Sequence, residues 1–493
     1  MQTLKNLATD GDNLIDSGDI QFAACVYVDL DGTFVSVDTF HESLINTAHR
    51  RPELLFAIPF WLLRGPAHAK RCAAIHGGVD VASLPYRPAV MELIRNAREN
   101  GKRVVLATGA DREIADQVGR HIGMFDAVLA SDGKDNLVGA RKLAAIRGDC
   151  AGRTFCYVGN SNRDKEIWRN ADAALVVSSD TSLAAWVRSL PIPAAEVKIE
   201  RAGFATWFSA LRCGQWMKNL LVFLPLLPVA KFASEAMFFN ALSTFVVFCL
   251  VASATYLFND LLDLRTDRMH PLKRQRALAS GSISALAGTT VAALLGSMAC
   301  LLAAFLVPLL AGICIAAYVM ATIAYSLWLK EQPLVDVWML TGLYSLRILA
   351  GGAAIGLMPS PWMLAFSMFL FFSLALGKRY TELVMTKNAT DSSHSRRGYV
   401  FDDAPLMLIT GICAGQLSVM TLALYWSDPA THLRFAHPTS GWLLCPLLLF
   451  WLCRFWFKAH RGELDDDPVA FVLRDRATPV MAIISAALVF LAL

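Results

Sequence analysis

From Trp207 onward the chain alternates long apolar runs with short polar loops, and no other feature restricts its fold as much. Nine such segments can be counted, at about 217–233, 240–258, 285–306, 308–328, 334–356, 361–377, 406–426, 440–457 and 478–493. A helix of about 20 apolar residues crosses a bilayer, and backbone in lipid must satisfy its own hydrogen bonds, as a helix does. Residues 207–493 are therefore expected to form an all-α polytopic membrane domain of about nine transmembrane helices. With 55% hydrophobic residues and a mean hydropathy of +0.45, the chain is too apolar to be soluble throughout. Charged residues are nonetheless frequent up to about Glu200, so a soluble domain at 21–195 precedes a linker at 196–206, near Pro191 and Pro193.

The loops set the orientation. Arg212, Lys218, Arg265, Arg268, Lys273, Arg274, Arg276, Lys330, Lys378, Arg379, Lys387, Arg396, Arg397, Lys458, Arg461, Arg474 and Arg476 all fall on one side of the expected helices. The other side offers little beyond Lys231 and Arg434. The positive-inside rule places the N-terminal domain and the charged loops in the cytoplasm and the C-terminus outside, across the inner membrane. Residues 1–20 contain no apolar stretch of signal-peptide type and are expected to be a disordered tail. The net charge of +4 is too small to argue for nucleic acid, and no aromatic and basic platform for single strands is present. The eleven cysteines are scattered without CxxC pairs and read as reduced thiols.

The stretch Tyr256 to Gly281, at the end of the second apolar run, carries Asn259, Asp260, Asp263 and Asp267. On a continuing helix the three carboxylates fall at i, i+3 and i+7 and share one face, where they would repel one another. Hard oxygen ligands clustered at a membrane boundary suit Mg2+, which usually also holds substrate phosphates. Lys273, Arg274 and Arg276 follow as phosphate-binding cations. The competing reading is a solvated acidic turn with a positive-inside anchor. On the same side lie Gln215, Lys218 and Asn219 in QWMKN, Tyr325, Lys330 and Asp336 in YSLWLKEQPLVD, and Lys378, Arg379, Tyr380 and Glu382 in LGKRYTEL. SRRGY adds Arg396, Arg397 and Tyr399. Singly these are anchors; together they outline a phosphate-binding, Mg2+-dependent pocket. Arg347, inside the fifth apolar segment, should face that pocket or a carboxylate partner.

In the soluble part, β-branched runs at Ala23–Leu30, Arg103–Ala107, Ala127–Ala130, Thr154–Val158 and Ala173–Val177 alternate with helical stretches. This pattern argues for a parallel sheet covered on both faces, with ligands at the carboxyl ends of the strands. There CVYVDLDGT delivers Asp29 and Asp31, suited to act as nucleophile toward phosphorus and as acid/base. An ordinary Asp-Gly turn would read the same way. VVLATGAD supplies Thr108, NLVGARK supplies Lys142, and FCYVGNSNRD supplies Asn160 and Asp164.

The order of these four motifs resembles the haloacid dehalogenase (HAD) phosphatase superfamily over nearly all of residues 22–180. The resemblance implies an α/β Rossmannoid domain in which Asp29 is the nucleophile and Asp31 the acid/base. Thr108 and Lys142 would steady the phosphoryl group, and Asp29, Asp31, Asn160 and Asp164 would form the Mg2+ site. Asn160 departs from the usual acidic residue and is a weaker ligand. An insertion at about 39–83, with LLFAIPFWLLRG, takes the place of a helical cap. Its apolar stretch is too short to span a bilayer; it either lies at the membrane surface and admits a lipid-borne phosphate, or packs within the protein.

NDxxDxxxD after the second apolar segment resembles the UbiA superfamily of intramembrane prenyltransferases. QWMKNLLVF, NDLLDLRTDRMHPLKRQRALASG, YSLWLK, LRILAGG and GKRYTEL bring residues 207–480 closer to its decaprenyl-phosphate phosphoribosyltransferase branch. Lys378, Arg379 and Glu382 stand where aromatic prenyltransferases have a second aspartate-rich motif. The resemblance implies transfer of 5-phosphoribosyl from phosphoribosyl diphosphate to a polyprenyl phosphate, with Asp260, Asp263, Asp267 and Glu382 holding Mg2+ on the diphosphate. Gln215, Lys218, Asn219, Asn259, Lys273, Arg274, Arg276, Tyr325, Lys330, Arg347, Lys378, Arg379 and Arg397 would contact substrate. The HAD domain would remove the 5-phosphate from the product. The alternative is prenyl transfer from a prenyl diphosphate to an aromatic or lipid acceptor, which would leave labelled phosphoribosyl diphosphate unused. A third reading, a transporter or lipid-binding scaffold, would leave function intact in Asp260→Asn and Asp263→Asn. The bilayer is a partner in each case, and a homo-oligomer is compatible with a sequence that carries no signal for assembly.

Overall fold

A computed structural model describes residues 23–386, 398–433, 435–464, 475 and 477–492. The chain divides into two units: residues up to Leu211 together with Leu257–Val291, and Arg212–Tyr256 together with Ala292 onward. The expected tail at 1–20 and Arg397 lie outside the described residues.

In the first unit the five expected β-branched runs are strands: Cys25–Val28 (β1), Arg103–Asp111 (β2), Ala127–Ser131 (β3), Phe155–Gly159 (β4) and Ala173–Ser178 (β5). A sixth, Ala194–Lys198 (β6), joins β5 at the edge. All pairings are parallel, in the order β3-β2-β1-β4-β5-β6. The order reverses between β1 and β4, the place where open α/β sheets bind ligands beyond their carboxyl ends.

Alternation along β1 builds two cores. Val26 and Val28 join Val104, Leu106, Val158 and Leu175 under Leu93 and Ile94 of Pro88–Glu99 and Ile114 and Val118 of Arg112–Ile122. Tyr27 joins Val105, Tyr157 and Val176 on the other face, under Ile146 of Ala140–Cys150, Trp168 and Val187. Fully burying one such side chain contributes about 1.5–3 kcal/mol, so the sheet is held from both sides. The insertion after β1 forms Thr39–Arg50 (α1), Ile58–Leu63 (α2) and Pro66–His76 (α3). Asp38 caps α1, accepting from the backbone N–H groups of Phe40 and His41 at 3.0 and 3.1 Å. Around α2, Phe56, Phe60 and Leu63 are exposed.

In the second unit the apolar runs are helical. Among the described residues, seven helices are long and apolar enough to cross a membrane. They are Glu235–Leu262, Ala285–Leu306, Leu309–Leu327, Val335–Ala354, Pro361–Val384, Phe401–Ser427 and Pro438–His460; the first two run on into the first unit. Ala477–Ala492 is apolar but shorter. The first expected segment differs: Cys213–Phe232 winds as a 3-10 helix with Pro225 and Pro228 inside it. Each proline lacks an N–H and so leaves one backbone hydrogen bond of the segment unmade. Small residues let these helices approach closely. A Cβ on Gly411 would lie 2.2 Å from Trp456, and one on Gly377 2.5 Å from Phe455.

Candidate active sites

At the carboxyl ends of β1 and β4 the structure gathers the phosphatase-type residues. Asp29 follows β1 directly; its Oδ1 accepts from the Leu30 N–H at 2.9 Å and lies 3.1 Å from Lys142 Nζ. Lys142 comes from the first turn of Ala140–Cys150 and is buried. Its Nζ also lies 3.8 Å from Asp164 Oδ1 and donates to the Tyr157 hydroxyl at 2.9 Å. Tyr157 in turn donates to Asp164 Oδ1 at 2.9 Å. The other Asp164 oxygen accepts from the Ser161 N–H and hydroxyl, each at 3.0 Å, and from the Asn160 N–H at 3.3 Å. One lysine thus serves two buried carboxylates, with a tyrosine as the third corner.

Burial pushes Asp29 above the ordinary carboxylate range; Lys142 opposes the rise and Asp164 adds to it. Burial, then the charge of Asp38, pushes Asp31 up to about 7. A carboxyl that keeps its proton near neutrality suits an acid for a leaving oxygen. Asp31 Oδ1 accepts from the Thr39 N–H at 2.9 Å, tying it to the start of α1. Gly32 turns the chain with φ +71°, and a Cβ there would lie 2.1 Å from Asn160 Nδ2, so only glycine lets Asn160 approach. Thr108 differs from its expected place. It does not end the strand, because β2 continues to Asp111 across a register shift between Ala107 and Asp111. Its buried hydroxyl accepts from the Ala110 N–H at 3.0 Å.

The acidic stretch does not continue as one helix. Glu235–Leu262 ends, Asp263 takes φ −93°, ψ 9°, and a new helix runs Leu264–Met269. This corrects the expectation of one continuing helix, although two of the three carboxylates still converge. Asp260 Oδ1 and Asp267 Oδ2 both meet Arg276 Nη1, at 3.2 and 2.7 Å, and both residues are buried. Asp263 Oδ2 accepts from Asn259 Nδ2 at 3.0 Å. Lys273 and Arg274 lie on the short turn Lys273–Gln275.

In the second unit Arg379 is buried, and its charge is matched by protein. Nε donates to Asp336, Nη1 to Glu382 Oε2 at 2.7 Å and Nη2 to the Tyr325 hydroxyl at 2.9 Å. Asp336 also accepts from the Tyr399 hydroxyl at 2.7 Å. Arg379 and Glu382, expected at phosphate and at metal, are paired with each other in this structure. Arg347 is likewise buried but meets no carboxylate among the described residues. It donates to Asn219 Oδ1 at 2.8 Å, to the Leu343 carbonyl at 2.6 Å and to the Tyr318 hydroxyl at 2.9 Å, with its guanidinium 4.6 Å from the Tyr318 ring centre. Asn219, expected at substrate, here holds Arg347 through its side-chain oxygen. Lys218 lies 5.8 Å from the Tyr344 ring centre, and Lys330 and Lys378 are half-buried. Gln215 Oε1 is buried without a hydrogen-bond partner.

Lys70 on α3 was not anticipated. Its Nζ donates to the Gly109 carbonyl at 2.6 Å and to Asn136 Oδ1 at 3.0 Å. Burial lowers its pKa, while the charges of Asp31, Asp38 and Asp29 raise it. Nothing in AHAKRC distinguishes this lysine, since only the fold of the insertion carries it to the strand ends.

Among the described residues, no three His, Cys, Asp or Glu side chains converge to hold a metal by themselves. Mg2+ needs less, usually one or two carboxylates with waters and substrate phosphates. Asp29 and Asp164, sharing one lysine, and Asp260 and Asp267, sharing one guanidinium nitrogen, are pairs already drawn to a common cation. Both donor sets fit Mg2+.

The profile of the UbiA prenyltransferase family matches residues 221–483, and that of haloacid dehalogenase-like hydrolases matches residues 26–181. The chain is similar to Uncharacterized protein y4nM of Sinorhizobium fredii, 35% identical over 91% of this chain and 87% of that one. It is similar to Nodulation protein NoeC of Azorhizobium caulinodans, 31% identical over 58% of this chain and 94% of that one. It is also similar to Decaprenyl-phosphate phosphoribosyltransferase of Corynebacterium glutamicum, 28% identical over 56% of this chain and 82% of that one.

Proposed function

Because this chain belongs to the UbiA prenyltransferase family and carries a haloacid dehalogenase-like hydrolase domain ahead of it, we propose that it transfers 5-phosphoribosyl from phosphoribosyl diphosphate to a polyprenyl phosphate and then removes the 5-phosphate. It is a multi-pass membrane enzyme. The observation that carries the transfer reading is the buried pair Asp260 and Asp267 drawn to one cation in a loop that also holds Lys273 and Arg274. A relative named for decaprenyl-phosphate phosphoribosyl transfer supports the same substrate class.

Asp260, Asp267 and Asp263 would hold Mg2+, which when bound would supply positive charge to the leaving diphosphate. Lys273 and Arg274 meet its remaining charge. The bond from the anomeric carbon to the diphosphate oxygen breaks with its electron pair, and a phosphate oxygen of the lipid forms the new bond. That oxygen is already ionised, so no general base is needed. Arg379, Glu382, Arg347 and Asn219 keep the helices in place.

In the phosphatase-like domain, Asp29 attacks the 5-phosphate while Asp31 gives its proton to the departing ribose oxygen. Asp31 then takes a proton from the water that frees the phosphate from Asp29. Thr108 and Lys142 orient the phosphoryl group, and Asp29, Asp164 and Asn160 would hold Mg2+. The exposed Phe56, Phe60 and Leu63 rest on the bilayer and let the cap receive a lipid-borne phosphate. The charged loops and both sites face the cytoplasm of the inner membrane, with the C-terminus outside.

The test uses phosphoribosyl diphosphate labelled in the ribose, polyprenyl phosphate and detergent-solubilised protein, scoring lipid label and released phosphate. Wild type should give both, Asp260→Asn neither, and Asp29→Asn label without phosphate. If wild type left the lipid unlabelled yet moved a prenyl group to an acceptor, ordinary prenyl transfer would replace this reading.

A further inference from the structure

The loop bearing Asp260, Asp263 and Asp267 belongs to the same compact unit as the phosphatase-like domain, and the contacts that hold it there are specific. Arg268, next to Asp267, grips Glu42 of α1 with both ends of its guanidinium, Nη1 reaching Oε2 at 2.9 Å and Nη2 reaching Oε1. The two side chains are only 6% and 5% exposed. Arg268 Nε also donates to the Ala279 carbonyl at 2.9 Å, pinning the return of the loop. Arg265 Nε meets Asp80 Oδ2 at 2.7 Å. Ser36 Oγ donates to the Ser280 carbonyl at 2.7 Å. Gly281 has φ +78°, and a Cβ on it would lie 2.3 Å from Ser36 Oγ, so only glycine permits this approach.

A buried, bidentate charge pair is costly to place unless its geometry is held, and here it joins segments that are far apart in sequence. Glu42 lies one turn beyond Thr39, whose N–H binds Asp31. Arg268 lies one residue beyond Asp267, which shares Arg276 with Asp260. A single helix, α1, therefore touches the acid/base of one site and the loop of the other.

We propose that Glu42 is a positioning residue for the transferase carboxylates: through Arg268 it fixes the loop that presents Asp260 and Asp267, which makes the phosphatase-like domain a structural part of the transfer site. The kinetic part of this inference rests on the proposed transfer reaction; the structural part does not.

The test uses the full chain in detergent, with Glu42→Gln, Arg268→Met, the charge-reversed pair Glu42→Arg/Arg268→Glu, and the milder Ser36→Ala. Hydrogen exchange of residues 264–281 is read without any substrate. Loss of either charge partner should speed exchange there by about tenfold or more, and the reversed pair should recover part of the protection. Ser36→Ala should give a smaller change of the same sign, which keeps the test alive if a charge variant does not fold. With substrates, the Mg2+ concentration for half-maximal transfer and the KM for phosphoribosyl diphosphate should rise roughly 10–100-fold in Glu42→Gln, as they do when supports of a metal site are lost, with kcat changing less. Unchanged exchange in folded Glu42→Gln would overturn the docking. Faster exchange with an unchanged KM and Mg2+ requirement would overturn the positioning role. If wild type transferred no label at all, the functional reading would fall by itself and the exchange result would still decide the docking.

Discussion

Replacing Arg379 by methionine separates a phosphate ligand from a buried structural cation. Arg379 is 2% exposed and Asp336 not exposed at all, and among the described residues Asp336 retains the Tyr399 hydroxyl once the guanidinium is gone. Removing one partner of a buried ion pair costs about 3–5 kcal/mol, whereas replacing both partners by apolar side chains of similar volume is close to neutral. A unit of this size shifts its Tm by about 2–4 °C per kcal/mol, so the single variant should melt roughly 6–20 °C lower. Arg379→Met/Asp336→Leu should recover most of that loss. The assay is thermal unfolding of the full chain in detergent, followed by tryptophan fluorescence, for wild type, Arg379→Met, Asp336→Asn and the double variant. Transfer kinetics are then measured well below the lowest Tm, where KM for phosphoribosyl diphosphate should match wild type within about twofold, since a group not touching substrate contributes no uniform binding. A Tm within about 2 °C of wild type, less than 1 kcal/mol by the same conversion, together with a large rise in KM would refute the reasoning and return Arg379 to the substrate.

Other consequences are open to measurement. Asp31→Asn should slow release of phosphate from a phosphorylated sugar by roughly 10²–10⁴-fold, the usual worth of a positioned acid/base, without reducing lipid labelling. Asp267→Asn should lower transfer by about 10²–10³-fold at fixed Mg2+, as loss of a charge-stabilising group does, and chelation of Mg2+ should stop transfer in wild type. Gly32→Ala should destabilise the first unit by about 1–3 kcal/mol, because φ +71° is strained for alanine; its melting and its phosphate release should fall together as Asn160 is pushed aside. Asn160→Asp should reduce the Mg2+ needed for half-maximal phosphate release, since a carboxylate is a stronger Mg2+ ligand than an amide.

Five of the six strands were legible because β1 to β5 are β-branched, apolar and followed by Asp, Gly or Asn turns, all of which are local signals. β6 was not: AAEVK is short, half-polar and at an edge, so it has no apolar run to announce it. Asp29, Asp31, Asn160 and Asp164 could be placed at the strand ends because a parallel sheet collects there whatever follows its strands, whereas Lys142 comes from the helix Ala140–Cys150. Lys70 was hidden, since it arrives from the insertion. In the helical part, length and apolarity located the spans, but did not show that Cys213–Phe232 winds as a 3-10 helix. The break at Asp263 was equally invisible, because neither a proline nor a glycine marks it.

By its own chemistry the sequence determined which runs are long and apolar enough to cross a membrane, which become parallel strands, and which residue types suit phosphate and Mg2+. Those properties depend on transfer free energy, on local periodicity and on the hardness of oxygen donors, all carried by residues near one another in the chain. Only the tertiary structure decided who neutralises whom. Arg379 is matched by Asp336 and Glu382, Arg347 by Asn219 and Tyr318, Asp260 and Asp267 by Arg276, and Glu42 by Arg268. A charge in a motif has no partner until the fold brings one within a few ångströms, and at that range the buried partner sets the role of the side chain.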